Sequence, residues 1–122
     1  MTNRKQIKLA ARVGGFLATV TIIILSIVPG SMRPHTGAPP ELEHVAAYAL
    51  AAALLTVGYD NKRYLAVIAL FLSILSAVLE IAQIQIPGRN AAVLDFFVSS
   101  IGAVIGYFLA WVALRVLSRN FA

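Results

Sequence analysis

The chain has 122 residues, of which 60% are apolar and 12% are charged, and its formal net charge is +5. Soluble domains contain about 45–50% apolar and about 25% charged residues, so this composition excludes that class and indicates an integral membrane protein with one domain, residues 1–122. The absence of cysteine excludes disulfide bonds and thiolate chemistry. Because the basic residues flank apolar segments, as they do when they orient helices in a bilayer, we expect no nucleic-acid partner.

Four apolar segments predict an all-α fold, an integral membrane four-helix bundle. Pro29-Gly30 and Pro87-Gly88 end the first and third segments. The second apolar run is too short for the ~30 Å bilayer core, but a helix that begins at Pro40 restores a full span. Asn90 is a suitable N-cap for the fourth helix. The predicted helices cover residues 9–28, 40–61, 64–86 and 91–117.

The distribution of basic residues predicts the orientation. Eight of them fall at helix ends that share one side of the membrane: Arg4, Lys5, Lys8, Arg12, Lys62, Arg63, Arg115 and Arg119. Only Arg33 and Arg89 fall on the other side, so the positive-inside rule predicts a multi-pass membrane protein with both termini in the cytosol. Arg12 lies within the first helix, and its long stem is expected to reach the headgroups. In a competing interpretation residues 1 to about 30 are a cleaved signal peptide, although no A-x-A-like cleavage site follows.

Three titratable side chains are expected at one depth near the outer helix ends. At ~1.5 Å per residue, Glu80 lies about 9 Å from the end of its helix, Asp95 about 7 Å from the start of its helix, and His44 about 6 Å from the start of its helix. An acid inside the bilayer costs free energy unless it faces protein or water, so Glu80 marks a functional site by hypothesis. The three residues are candidates for catalysis or ligand binding.

Helical phase predicts which faces carry polar and small residues. Ser73, Ser76, Glu80 and Gln83 share one face of the third helix, and Asp95, Ser99, Gly102 and Gly106 share one face of the fourth. Glycines at this spacing let helices approach closely, so these two faces are expected to meet. Ser76, Ser99, Gly102 and Gly106 are therefore predicted to pack the helices together.

Two interpretations of the polar layer stay open. In one it is a ligand-binding pocket that also contains Gln83 and Tyr48 and is covered by loops carrying Arg33 and Arg89. In the other, Glu80 pairs with a nearby cation as structural glue, Asp95 stabilises the positive end of a helix dipole, and the arginines anchor helix ends.

The same residue types allow general acid-base chemistry, because burial and like charge separate pKa values. Motifs for hydrolases, phosphate loops and dinucleotide binding are absent, and so is any H-x-x-x-H spacing, so neither a metal nor a cofactor is predicted. The sequence does not decide whether the protein is an enzyme.

The order of these residues resembles the VanZ-like family of small bacterial membrane proteins. The residues that carry the resemblance are Glu80, Gln83, Pro87, Arg89, Asp95, Gly102 and Gly106, together with Ser26-Ile-Val-Pro29, His44 and Tyr48 upstream. The resemblance covers about residues 24–107. This chain has Pro40-Glu41 where family members often have an Asp-Lys pair, and Ser99 where they often have asparagine.

The resemblance implies a multi-pass protein of the bacterial cytoplasmic (inner) membrane. It also implies a role in the cell envelope, because the founding family member is associated with reduced susceptibility to teicoplanin, a lipoglycopeptide antibiotic. We therefore expect the pocket to open outward and to bind an amphiphilic envelope component, such as a lipid or lipid-linked precursor, or a lipoglycopeptide. The alternatives are a membrane enzyme that acts on a lipid-linked substrate and a small transporter or interaction subunit that works as an oligomer.

Reporter fusions test the orientation. A reporter active only outside the cytosol, fused after Gly88, should be active, whereas the same reporter fused after Asn61 should be silent, because the basic clusters hold that loop inside. Activity at Asn61 and silence at Gly88 would contradict the predicted orientation.

Overall fold

The computed structural model describes residues 3–120 and places them in four α-helices, with no strand among those residues, so the all-α prediction is confirmed. The helices are α1 (Arg4–Ile27), α2 (Pro40–Gly58), α3 (Leu65–Gln83) and α4 (Val93–Asn120). Short 3-10 turns at Gly30–Met32 and Lys62–Tyr64 lie in the first two connections. All four helices are long and apolar enough to cross a membrane.

The first two helices differ from their predicted bounds at one end each. α1 begins at Arg4 rather than residue 9, because the side chain of Asn3 accepts a hydrogen bond from the Lys5 amide and so caps a polar first turn outside the apolar run. α2 ends at Gly58 rather than residue 61, because Tyr59 leaves the helical region with φ −110° and ψ 48°. The apolar pattern locates a helix, but the capping residues fix its ends.

The turn between α3 and α4 also starts earlier and ends later than predicted. α3 ends at Gln83, and the amides of the next three residues, 84–86, bond to carbonyls three residues back, so the chain tightens before Pro87. α4 begins at Val93, so Asn90 is not its N-cap. The amide of Asp95 instead donates to the Ala92 carbonyl at 3.0 Å.

Contacts at the two ends of the bundle establish its up-down-up-down topology. At one end Arg4 and Lys8 lie 3.0 and 3.5 Å from the carboxylate of Asp60, which joins the start of α1 to the α2–α3 connection. At the other end the Gly30 amide donates to the Pro87 carbonyl at 3.1 Å, which joins the two remaining connections. α2 packs most extensively, against α4 and then α1, while α3 packs mainly against α4.

Glycines set the closest helix contact, between α2 and α4. A Cβ atom on Gly102 would lie 2.6 Å from the Val45 carbonyl oxygen, and one on Gly106 would lie 2.0 Å from that of Ala49. The prediction that these two glycines meet α3 is therefore wrong, because their partner is α2. α3 reaches α4 elsewhere: the Ser73 hydroxyl donates to Ser100 at 3.0 Å, and Glu80 comes within 4.8 Å of Asp95.

The outside of the bundle is bulkier and more apolar than its inside. Exposed leucine, isoleucine, valine and phenylalanine side chains occur on all four helices, whereas the fully buried positions include Ala51, Ala52 and Ala103. A soluble protein rarely exposes contiguous apolar surface on this scale, and small interior residues are typical of helix packing in lipid. The chain is a membrane protein.

Paired glycine substitutions test the α2–α4 contact. Gly106→Ala should destabilise the fold by about 1–3 kcal/mol, because its Cβ would overlap the α2 backbone. Gly14→Ala is the matched control, since its Cβ would meet only the Leu54 side chain at 3.5 Å and alanine favours helix by up to about 1 kcal/mol. The measurement is the fraction of purified protein that stays monodisperse in detergent after heating. Equal survival of both variants would contradict the proposed close contact.

Candidate functional site

Three of the predicted residues come together at one end of the bundle. His44 of α2, Glu80 of α3 and Asp95 of α4 each place one nitrogen or carboxylate oxygen within 4.8 Å of the others. All three side chains are half-buried. We call this group the polar cluster. Its three residues come from three different helices, so no local sequence motif contains all of them.

Both carboxylates of the polar cluster lie at the start of α4. The carboxylate of Glu80 accepts a hydrogen bond from the Ala92 amide at 3.0 Å, and Asp95 occupies the first turn of the helix. The N-terminus of a helix carries a positive partial charge, which stabilises both groups. Glu80 thus has a structural contact of its own, which agrees with part of the structural-glue interpretation.

A backbone contact orients the imidazole of the polar cluster. His44 Nδ1 lies 2.7 Å from the Pro40 carbonyl oxygen, one turn earlier in α2. A carbonyl oxygen only accepts hydrogen bonds, so Nδ1 carries the proton of this bond. In the neutral ring Nε2 then keeps a free lone pair, which can bind a metal ion or accept a proton.

A second polar layer lies one helical turn from the polar cluster. Its members are Tyr48, Ser76 and Ser99, each four residues from a cluster residue on the same helix. They are 3%, 2% and 0% exposed. Tyr48 lies next to Ser76, whereas the Ser99 hydroxyl has no hydrogen-bond partner among residues 3–120. The polar groups therefore extend from the helix ends into the core.

A cavity of about 650 Å³ lies between α1 and α2. Its polar end is lined by Arg33, Thr36, Glu43, His44, Gln83 and Arg89. Its other walls are mainly apolar and include Ala18, Ile22, Leu25, Leu42, Ala46, Ala47 and Leu50. The cavity thus has a charged end beside the connections and an apolar part that follows two helices long and apolar enough to cross a membrane.

An ion pair at the mouth of this cavity was not predicted. Arg33 forms a salt bridge with Glu43, whose second carboxylate oxygen accepts a hydrogen bond from the Thr36 hydroxyl at 2.6 Å. Sequence reasoning singled out Arg33 but not Glu43. Glu43 could have been identified from its position in the first turn of α2, which lies close in sequence to the loop that carries Arg33.

Gln83 and Arg89 bind the carboxyl end of α1. Arg89 donates through Nε to the Val28 carbonyl at 2.9 Å and through its guanidinium to the Leu25 carbonyl, and the Gln83 amide donates to the Ser26 carbonyl at 3.1 Å. Carbonyls at a helix end lack hydrogen-bond donors inside the helix, and these side chains supply the missing donors. Burial and the neighbouring positive charge of Arg33 lower the pKa of Arg89. We call these contacts the α1 lock.

The predicted single pocket is therefore divided into two sites. The cavity is lined by Arg33, His44, Tyr48, Gln83 and Arg89, whereas Glu80 and Asp95 are not among its lining residues. These two acids belong to the polar cluster, and His44 belongs to both sites. The α1 lock supports the predicted alternative that Arg89 anchors a helix end, yet Arg89 also faces the cavity.

A sequence model of the VanZ/LLP1 family matches residues 5–115, which is most of the chain. The match includes the polar cluster, the cavity and the α1 lock. It confirms the family that the sequence motifs indicated. No curated protein and no solved structure shows a significant similarity to the chain.

Substitution of Arg89 tests the α1 lock. Arg89→Ala should lower the stability of the fold by about 1.5–3 kcal/mol, because it removes charge-assisted hydrogen bonds and leaves carbonyls of α1 without partners. Arg89→Lys should fall in between, since one ammonium does not reproduce the guanidinium fork. Survival after heating in detergent is compared with Arg63→Ala, a basic residue that is exposed. An Arg89→Ala variant as stable as this control would contradict the lock.

Proposed function

The chain belongs to the VanZ/LLP1 family, and we propose that it is a multi-pass protein of the bacterial cytoplasmic membrane whose cavity binds an anionic amphiphile of the cell envelope. The observation that carries this proposal is the cavity itself, with a charged mouth and an apolar part between two membrane-spanning helices. Such a cavity matches a molecule with a charged headgroup and a hydrocarbon chain.

The size of the cavity supports this ligand class. Its volume of about 650 Å³ lies within the range of about 300–1,000 Å³ that is usual for small-molecule sites. The apolar wall runs along α2 from Leu42 to Leu50, a rise of about 12 Å at 1.5 Å per residue. This length accommodates part of an acyl chain, and the remainder would lie against the lipid-facing surface.

The charge at the mouth favours an anionic headgroup. Arg33 and Arg89 both line the cavity and lie close enough for their charges to interact, while Glu43 neutralises only one of them. Guanidinium groups bind phosphate and carboxylate through paired hydrogen bonds. An anion between the two arginines would also relieve their mutual repulsion.

The distribution of basic residues supports a position of the cavity on the outer side of the membrane. The cavity mouth lies at the end of the bundle that carries only Arg33 and Arg89, and the other eight basic residues belong to the opposite end. By the positive-inside rule the opposite end is cytosolic. The ligand would therefore enter from the outer leaflet, where envelope precursors and lipoglycopeptides are found.

A membrane enzyme is the second candidate, and the shared position of His44 favours it. Because this imidazole belongs to both the polar cluster and the cavity, it would meet a bound headgroup with two carboxylates behind it. General acid-base chemistry on a lipid-linked substrate needs such an arrangement. For transport no comparable observation exists: the second cavity, of about 220 Å³, shares no lining residue with the first.

Native mass spectrometry of the purified protein tests amphiphile binding. The ligands to be compared are anionic and zwitterionic phospholipids of equal chain length, lipid-linked cell-wall precursors and a lipoglycopeptide. Ala46→Phe should weaken binding at least about tenfold, because it fills the apolar part of the cavity. Ala66→Phe is the matched control, since Ala66 is exposed on α3 and does not line the cavity.

Two charge variants complete the test. Arg33→Gln should weaken binding of anionic amphiphiles, because it removes a cation and leaves Glu43 unpaired. Glu43→Gln should preserve or strengthen binding, because it frees Arg33. Equal affinity for anionic and zwitterionic lipids, or equal losses in the two charge variants, would contradict an anion site at the mouth.

A further inference from the structure

The polar cluster brings two carboxylates together, and neither of them forms a salt bridge within the described residues. Glu80 and Asp95 come within 4.8 Å of each other, and none of the salt bridges among residues 3–120 involves either of them. The dipole of α4 offers about half of one positive charge, which does not neutralise two carboxylates. Two half-buried carboxylates at this distance therefore need a proton or a cation.

We propose that the polar cluster is a binding site for a divalent transition-metal ion, with Zn²⁺ as the ion that best fits its donors. The cluster offers one imidazole nitrogen and two carboxylate oxygens. Zn²⁺ binds both donor types, whereas Mg²⁺ and Ca²⁺ prefer oxygen donors alone. A set of three protein ligands leaves a fourth position for water, as in zinc sites that carry out chemistry.

The geometry of the polar cluster needs only a small closure. At about 2.1 Å per bond, two ligands of one tetrahedral zinc ion lie about 3.4 Å apart. The donor atoms of His44, Glu80 and Asp95 are within 4.8 Å of one another, so each pair would have to close by at most about 1.4 Å. Each comes from a different helix, and the α2–α4 glycine contact holds two of those helices at a fixed separation.

His44 is held as metal-binding histidines usually are. The ring nitrogen of such a histidine that does not bind the metal typically donates to a carbonyl or a carboxylate, which fixes the tautomer and the ring orientation. His44 Nδ1 makes this bond to the Pro40 carbonyl at 2.7 Å. Nε2 is then the nitrogen available to the metal.

Ser99 gives a second, independent indication. Its side chain is 0% exposed and its hydroxyl has no hydrogen-bond partner among residues 3–120, an arrangement that costs free energy. Ser99 follows Asp95 by four residues, on the same face of α4, and side chains of a helix tilt toward its N-terminus. The Ser99 side chain therefore leans toward the turn that carries Asp95, and a metal-bound water at the open position would give its hydroxyl a partner.

This proposal goes beyond the proposed function and does not depend on it. The amphiphile cavity and the metal site share His44, but Glu80 and Asp95 do not line the cavity. Asp95→Asn should therefore abolish metal binding while amphiphile binding remains. Absence of metal binding in the wild-type chain would contradict only the metal site, and absence of amphiphile binding would contradict only the proposed function.

Metal content measured by mass spectrometry provides the test. The full chain, purified without a histidine tag and stripped with a chelator, is dialysed against Zn²⁺ in the presence of excess Mg²⁺. We expect about one Zn²⁺ per chain and a higher temperature of unfolding in detergent with Zn²⁺ than without it. Asp95→Asn, Glu80→Gln and His44→Gln should each weaken Zn²⁺ binding at least about tenfold and remove the thermal shift.

The controls keep residue type constant. Asp60→Asn, Glu41→Gln and His35→Gln change the same residue types outside the polar cluster and should retain one equivalent of zinc. Glu80 also contacts the Ala92 amide, so if Glu80→Gln does not accumulate, the other two cluster variants decide the question. Zinc uptake by the wild-type chain no greater than that of the triple cluster variant would overturn the proposal. Losses of zinc binding in the control variants as large as those in the cluster variants would overturn it too. A proton shared between the two carboxylates would then be the alternative to a metal ion.

Discussion

The carboxyl end of α1 imposes the constraint on which the rest of this structure depends. Backbone carbonyls at a helix end have no partner within the helix, and a lipid environment offers no water to replace one. Gln83 and Arg89 supply the missing donors from the end of α3 and the turn that follows it. Since α1 is held there, it forms one wall of the cavity at a fixed position relative to α2. Removal of these donors would free that wall as well as the helix end.

The same solution recurs at the other end of the bundle. Arg12 donates through Nε to the carbonyl of Gly58, the last residue of α2, at 2.8 Å, and its guanidinium stacks over the Tyr59 ring at 4.5 Å. Arg12, which was expected to extend to the headgroups, thus has a contact within the protein at the end of α2. A positive charge at a helix C-terminus is also favoured by the helix dipole. Two arginines that contribute to the topology argument therefore stabilise helix ends directly.

The family motif residues divide between two physical tasks. Ser26, Gln83 and Arg89 take part in the α1 lock, and Gly30 packs against Gly88 so closely that a Cβ on Gly30 would lie 2.0 Å from the Gly88 carbonyl oxygen. Here glycine is required by the close approach of two turns. The motif residues His44, Glu80 and Asp95, by contrast, form the polar cluster. A motif read from sequence joins residues that the fold assigns to separate sites.

Helical rise and phase were sufficient to bring His44, Glu80 and Asp95 to one depth, because each lies within about two turns of a helix end. The ends of α3 and α4 themselves were misplaced by two or three residues, which is less than one turn. Helical rise and phase were not sufficient to predict which helix packs against which face. Periodicity gives the face of α4 that carries Gly102 and Gly106, but the partner of that face depends on the packing of the whole bundle, which selects α2. The roles of Gln83 and Arg89 depend on backbone carbonyls, which no side-chain pattern reveals. The members of the polar cluster come from three separate helices and likewise leave no local spacing to detect.

His44 joins the two sites through its two ring nitrogens. Its Nδ1 proton is committed to the Pro40 carbonyl, so only Nε2 is free to bind a further partner. The side chain lines the cavity together with Arg33 and Arg89, and its donor atom also lies within 4.8 Å of the carboxylates of Glu80 and Asp95. In the proposed metal site Nε2 would be a ligand, and the cations that line the cavity would then be Arg33 and Arg89. A substitution of His44 therefore changes both sites, whereas a substitution of Asp95 changes the polar cluster and leaves the cavity lining intact.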